Sequence, residues 1–120
     1  MKKSDKNKIQ TIALETAQRL IDYDSYGGRE SKAIAAMKRR FSGLSKDEYE
    51  KFLRDAIAVH KDAIKYVKSN NKVFYKCYNE NPDGSKLHLV TGDFIKKYPS
   101  YEANDLVHTL AFVFYLYHLR

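Results

Sequence analysis

Residues 45–67 read SKDEYEKFLRDAIAVHKDAIKYV and carry the most regular apolar pattern in the chain. Apolar side chains recur there at three- and four-residue spacing, which is the spacing of one face of an α-helix. They are Tyr49, Phe52, Leu53, Ala56, Ile57, Val59, Ala63, Ile64 and Val67. Charged residues such as Lys51, Arg54 and Lys65 fall on the opposite half. The pattern predicts a long amphipathic helix that reaches at least Val67.

The start of this helix is marked by a capping box. The Ser45 hydroxyl can accept a hydrogen bond from the amide of Glu48, and the Glu48 carboxylate can accept one from the amide of Ser45. Leu44 and Tyr49 can form the apolar contact that often accompanies this motif. The sequence therefore predicts that the helix begins at Ser45.

Shorter patterns predict helices on both sides of the long one. Ser4 or Asp5 can cap the first helix, and residues 1–4 are expected to form a flexible basic tail. Gly43 suits the left-handed residue that often follows a helix. These helices span about 4–24, 30–41, 91–98 and 101–119.

Residues 70–90 allow two predictions. The segments 73–78, 81–84 and 87–90 read VFYKCY, NPDG and LHLV, which fits a β-hairpin. A weak internal repeat favours a helix instead. Residues 37–41 (MKRRF) match residues 94–98 (FIKKY) at an offset of 57 residues, and the same offset pairs Gly27 with Gly84. Carried forward, the repeat predicts a helix over about 66–79.

These elements predict an all-α fold. With 120 residues, 43% of them hydrophobic and 31% charged, the chain has the size and composition of one globular domain. We expect a single domain over residues 1–120, built as a compact bundle of five or six helices, with two weakly repeated helical units. The alternative is an α-fold with one β-hairpin at about 72–90.

The sequence also bears on location. The longest uninterrupted apolar run, residues 110–117, is far shorter than the roughly 20 residues that a membrane-spanning helix needs. The basic N-terminus is not followed by the apolar core of a signal peptide. Cys77 is the only cysteine, so no internal disulfide can form. These features predict a cytoplasmic protein without membrane contact.

The net charge of +7 favours polyanionic partners, and basic residues concentrate on the second predicted helix. Acidic residues are absent from the outer face of that helix, because Glu30 projects toward the other side. The candidate residues for binding a nucleic acid or another anion are Arg29, Lys32, Lys38, Arg39 and Arg40. A solvated helix face is the alternative interpretation of the same pattern.

Few residues suggest catalysis or metal binding. His60 falls at the centre of the apolar face of the long helix, which predicts a core histidine bonded to a tyrosine or a backbone carbonyl; leucine in its place should preserve the fold. Asp22 and Asp24 are expected at a solvated helix end. The other histidines lack the spacing of a zinc site, and Cys77 is expected to be a small buried side chain. No metal or cofactor is predicted.

The final predicted helix is apolar on every side, so it must be covered all round. The rest of the domain can cover it, or one side can meet a second copy of the chain. Aromatic residues favour interface cores. The candidate interface residues of such a homodimer are Phe112, Phe114, Tyr115 and Leu116.

No catalytic or ligand-binding motif in the sequence is specific. The leading hypothesis is a small, non-enzymatic adaptor protein that acts through protein–protein contacts. The alternative is a nucleic-acid-binding accessory protein that uses the basic helix. An enzyme is the third hypothesis, with His60 as its only core candidate.

Overall fold

The computed structural model describes residues 1–119. The α-helices are α1 (Lys3–Asp22), α2 (Glu30–Arg40), α3 (Lys46–Ser69), α4 (Asn71–Glu80), α5 (Leu87–Val90), α6 (Gly92–Lys97) and α7 (Ala103–Phe114), and a π-helical turn (Tyr115–Leu119) follows. The bounds of α2, α3 and α6 lie close to the positions that the sequence pattern predicts.

The all-α prediction is confirmed, and the β-hairpin alternative at about 72–90 is wrong. Residues 1–119 contain no β-strand, and α4 and α5 occupy the segment in question. Phe74 and Cys77 are the buried residues of α4, so burial there follows the three-residue spacing of a helix and not the two-residue alternation of a strand. The seventh α-helix, beyond the five or six expected, is the single turn α5.

The chain divides into two compact units. Unit 1 is Met1–His60 and contains α1, α2 and the first part of α3. Unit 2 begins at Lys61 and contains the rest of α3 and everything after it. Its core is aromatic, with Phe74 and Phe114 fully buried, whereas the core of unit 1 holds Ile9, Met37 and Leu53.

Helix bounds in the two units repeat at the predicted offset. α2 spans residues 30–40, and α5 with α6 spans residues 87–97, each bound lying 57 residues later. α3 begins at Lys46 and α7 at Ala103, again 57 residues apart. The internal repeat is therefore a property of the fold as well as of the sequence.

The turns before α2 and α5 are built alike. The amide of Gly27 donates to the carbonyl of Asp24 at 3.1 Å, and the amide of Gly84 donates to that of Asn81 at 2.9 Å. Both glycines have positive φ angles, 59° and 72°, a region that costs little energy only for glycine. Pro82 and Gly84 thus mark a turn between helices, not the tip of a hairpin.

Two predicted helix starts are wrong. α1 begins at Lys3 with Lys2 as its N-cap and no side-chain cap, so Ser4 and Asp5 lie inside the helix. Of the predicted basic tail, Lys3 and Ser4 belong to α1, and Met1 and Lys2 precede it. α7 begins at Ala103 and not at Tyr101, since residues 99–101 form a turn after α6.

The capping box at the start of α3 is confirmed. The Glu48 amide donates to the Ser45 hydroxyl at 3.1 Å, and the Ser45 amide donates to the Glu48 carboxylate at 3.0 Å. The hydrogen bond from the Ser45 amide, and then the contact with the Ser45 side chain, lowers the pKa of Glu48. Because this pKa is depressed on folding, the associated stability is complete at neutral pH and is lost in acid.

We expect Ser45→Ala to lower the free energy of unfolding by about 0.5–2 kcal/mol, because the first turn of α3 loses its cap. Equilibrium urea denaturation measures the change. Ser42→Ala is the matched control, since Ser42 is an exposed serine of the preceding turn. If both variants unfold at the same urea concentration, the capping box does not stabilise the helix.

Candidate functional site

The five basic residues predicted to bind anions all lie on or beside α2 in unit 1, and all are exposed. They do not form a single free face. The Arg40 guanidinium lies 2.6 Å from the Glu15 carboxylate of α1, and the Lys38 ammonium lies over the Tyr49 ring of α3, 5.7 Å from its centre. Arg40 and Lys38 therefore lean toward two different neighbouring helices.

Arg29, Lys32 and Arg39 remain as the outward group. Among residues 1–119, these three side chains take part in no salt bridge. We call them the outer basic face. The sequence pattern grouped Arg40 with them because helical periodicity describes only one helix. It carries no information about Glu15, which lies 25 residues earlier on another helix.

His60 has a different partner from the predicted one. Its Nε2 donates a hydrogen bond to Asp22 Oδ2 at 2.8 Å, and neither side chain has any exposed surface. His60 Nδ1 is also buried and has no hydrogen-bond partner within residues 1–119. The burial of His60 was predicted, but the solvated position of Asp22 was not correct. Both side chains are fully buried, so the hydrogen bond joins α1 to α3 within the core of unit 1.

The predicted interface residues of the C-terminal helix separate into two kinds. Phe114 is fully buried, stacked on Tyr78 with ring centres 5.1 Å apart and in contact with Phe74 and Tyr75. It belongs to the core of unit 2 and cannot offer its side chain to another chain. Phe112 and Leu116 are half-buried, and Tyr115 is 57% exposed. For these three, the interface stays a prediction.

A groove in unit 2 was not predicted. It lies between α4 and α5, has a volume of about 410 Å³, and is lined by exposed apolar side chains. Val73 is 42% exposed, Leu89 66% and Val90 41%, and the buried Cys77 closes the floor. Lys76, Glu80, Asn81 and Lys86 complete the lining. We call this feature the α4–α5 groove.

The internal repeat contained the signal for this groove. The positions of unit 1 that correspond to Val73 and Val90 are Thr16 and Ala33, which are both buried between α1 and α2. The apolar side chains at the same places in unit 2 are partly open to solvent. The repeat also pairs Leu89 with Lys32, so a comparison of polarity across the repeat would have pointed to the extra apolar side chain of unit 2.

A second cleft of unit 2 lies between α3 and α6 and has a volume of about 320 Å³. Asp62 of α3 accepts hydrogen bonds from Lys97 of α6 at 2.7 Å and from Tyr98, the residue after α6, at 2.5 Å. The Tyr66 hydroxyl of α3 donates to Asp93 of α6 at 2.6 Å, so both sets of contacts join the two helices. Two lysines balance the two carboxylates, so the cleft has no net charge with which to select an ion.

Hydrogen bonding sets the protonation of this cleft. Burial opposes the ionisation of Asp62, but the hydrogen bonds from Lys97 and Tyr98 outweigh it and lower the pKa of Asp62. The hydrogen bond from Tyr66 lowers the pKa of Asp93. Burial, and then the hydrogen bond to its aspartate, raises the pKa of each tyrosine. At neutral pH the two carboxylates are therefore ionised and the phenols of Tyr66 and Tyr98 are neutral, so neither tyrosine supplies a tyrosinate nucleophile.

Metal and thiol chemistry have no support within residues 1–119. Clusters of three or more histidine, cysteine, aspartate or glutamate side chains that could hold a metal do not occur there. Burial raises the pKa of the Cys77 thiol, and the nearby Glu80 carboxylate adds to that effect. Cys77 is thus a protonated thiol at neutral pH. None of the helices formed by these residues has the length and apolar character needed to cross a membrane.

Comparison with other proteins adds no functional assignment. No family model, no curated protein and no solved structure matches the chain.

Proposed function

We propose that this chain is a non-enzymatic adaptor whose α4–α5 groove holds a short segment of a partner protein. The segment would carry apolar side chains flanked by acidic residues. The same proposal assigns the protein to the cytoplasm, where the buried Cys77 remains a thiol.

The observation that carries this proposal is the exposure of Val73, Leu89 and Val90 around one groove. Contiguous exposed apolar surface marks binding sites, because removing apolar surface from water lowers the free energy. Leu89 is 66% exposed at the edge of the groove, and Cys77 forms its floor. An apolar side chain of a partner can fill the groove without any change in the fold.

The charge around the groove favours an acidic partner. Lys76 and Lys86 stand on its rim against the single carboxylate of Glu80. The whole chain carries a net charge of +7, which attracts acidic segments over a distance and speeds their association. Apolar contacts would supply the affinity, and the lysines would select the partner.

The corresponding positions in unit 1 indicate that the arrangement of the helices alone does not create the groove. Unit 1 has the same helix bounds, yet Thr16 and Ala33 are buried at the matching places. At the third place, Leu89 stands where unit 1 has the exposed Lys32. Of the two units, unit 2 alone presents exposed apolar side chains at all three places, which supports a binding role for that unit.

The experiment is a selection of short random peptides displayed on phage against the full chain. We expect the enriched peptides to combine apolar residues with aspartate or glutamate. A synthetic peptide from this set should shift the amide NMR signals of α4 and α5. Leu89→Glu should weaken its binding by about 30-fold, the loss of one interface hot spot.

Leu119→Glu is the matched control, because it makes the same change at an exposed leucine outside the groove. It should leave peptide binding unchanged. Peptides that bind Leu89→Glu as well as the natural chain, or that shift signals in other helices, would contradict the proposal. The absence of any enriched acidic, apolar peptide would contradict it as well.

A further inference from the structure

We propose that the outer basic face of α2, formed by Arg29, Lys32 and Arg39, binds the phosphate backbone of a nucleic acid. This surface belongs to unit 1, and its partner differs from the protein segment proposed for the α4–α5 groove. Either inference can fail without the other.

The three cations form a line along α2. With a rise of about 1.5 Å per residue, Arg29 at the N-cap and Arg39 in the last turn lie roughly 15 Å apart along the axis. At about 100° per residue, all three side chains leave the helix within a sector of roughly 80°. Each strand of duplex DNA carries a charge about every 3.4 Å along its axis, so the line covers roughly four phosphates.

These cations are available to an external anion. All three side chains are exposed, and none of them forms a salt bridge within residues 1–119. The nearest acid in the sequence, Glu30, leaves the helix at least about 100° away from each of them. Arg40 is excluded from the face because it is engaged by Glu15 at 2.6 Å.

Unit 2 lacks this surface, although its helices repeat the bounds of unit 1. The positions that correspond to Arg29, Lys32 and Arg39 hold Lys86, Leu89 and Lys96. The place of Ala36, at the centre of the outer face, is taken by Asp93. The corresponding helices of unit 2 are exposed to solvent without an acid-free line of cations. Exposure to solvent alone therefore does not explain the line of cations on α2.

The proposal assigns the three cations to phosphates, which with the sugars receive most protein–DNA hydrogen bonds. Arginine can also contact guanine edges, but α2 carries no asparagine or glutamine to read adenine. Because phosphate contacts carry no sequence information, binding through them should depend little on nucleotide sequence. It should fall steeply with salt, with a log–log slope of about −2.7 for three contacts to duplex DNA.

The experiment is a fluorescence anisotropy titration of the full chain with labelled duplexes of unrelated sequence over a series of salt concentrations. We expect similar affinities for all duplexes at each salt concentration and a slope of about −2.7. Arg39→Ala should flatten the slope by about one unit, and Lys32→Ala with Arg39→Ala by about two. Thermal melting should hardly change, because the replaced side chains are exposed.

Two controls remove the same charge elsewhere. Lys96→Ala acts at the corresponding position of unit 2, and Arg40→Ala acts on the ion-paired arginine of the same helix. Both should keep the slope of the natural chain. If either control flattens the slope as much as Arg39→Ala does, binding follows net charge and the assignment to this face is wrong. Failure to bind any duplex at low salt would also overturn the proposal.

Discussion

Replacing His60 by leucine should lower the free energy of unfolding by about 3–5 kcal/mol, even though leucine suits an apolar position. His60 Nε2 lies 2.8 Å from Asp22 Oδ2, and both side chains are fully buried. Leucine cannot donate a hydrogen bond, so the buried Asp22 carboxylate would lose this partner. Losing one member of a buried polar pair costs far more than the pair itself contributes. Equilibrium denaturation measures the change.

Removing both members should restore much of the lost stability. A double variant, Asp22→Leu with His60→Leu, leaves neither a carboxylate nor an imidazole in the core, and apolar replacement of a whole buried pair is often close to neutral. The double variant should therefore be more stable than either single variant. A thermodynamic cycle over the four proteins measures the coupling between the two side chains.

His108→Leu is the matched control for this prediction, since His108 is an exposed histidine of α7. Its effect should stay within about 0.5 kcal/mol. If His60→Leu is as mild as His108→Leu, or if the two buried residues prove additive in the cycle, the pair does not stabilise the fold.

The sequence pattern predicted the burial of His60 but not its hydrogen-bond partner. Its burial followed from its place on the apolar face of α3, because helical periodicity is local information. Its partner could not be derived in this way, since Asp22 lies 38 residues earlier and is brought near only by tertiary packing. The ten tyrosines made a tyrosine partner the more frequent possibility, and composition cannot identify one specific contact.

Local signals predicted most helix bounds correctly. The capping box at Ser45 and Glu48 fixed the start of α3, and the 57-residue repeat selected helix over hairpin for α4. Those signals lie within a few residues of the structure they determine. The starts of α1 and α7 were misplaced because neither helix uses a side-chain cap, so a nearby serine was misleading.

The surfaces were harder to derive than the helices. Arg40 was assigned to the basic face from its helical position, but Glu15 of α1 pairs with it. The α4–α5 groove was missed because exposure depends on how closely two helices approach, which periodicity does not determine. In both cases the deciding quantity is the distance between elements that are remote in sequence.

Replacing Phe114 by alanine should lower the free energy of unfolding by about 3–5 kcal/mol. Its ring is fully buried and packs against Phe74, Tyr75 and Tyr78 with ring centres 4.9–5.3 Å apart. Alanine would leave a cavity that several rings of unit 2 line, and rigid aromatic neighbours can fill such a cavity only in part. Thermal and urea denaturation measure the loss.

Tyr115→Ala is the control that separates the core from the predicted interface. Tyr115 is the next residue along the chain and is 57% exposed, so in a monomer its replacement should have a small effect. A homodimer through the C-terminal helix would behave differently, because its stability would rise with protein concentration and Tyr115→Ala would abolish that dependence. For Phe114→Ala, the loss should be the same at every concentration. A loss below about 1 kcal/mol would mean that Phe114 is not the centre of the aromatic core of unit 2.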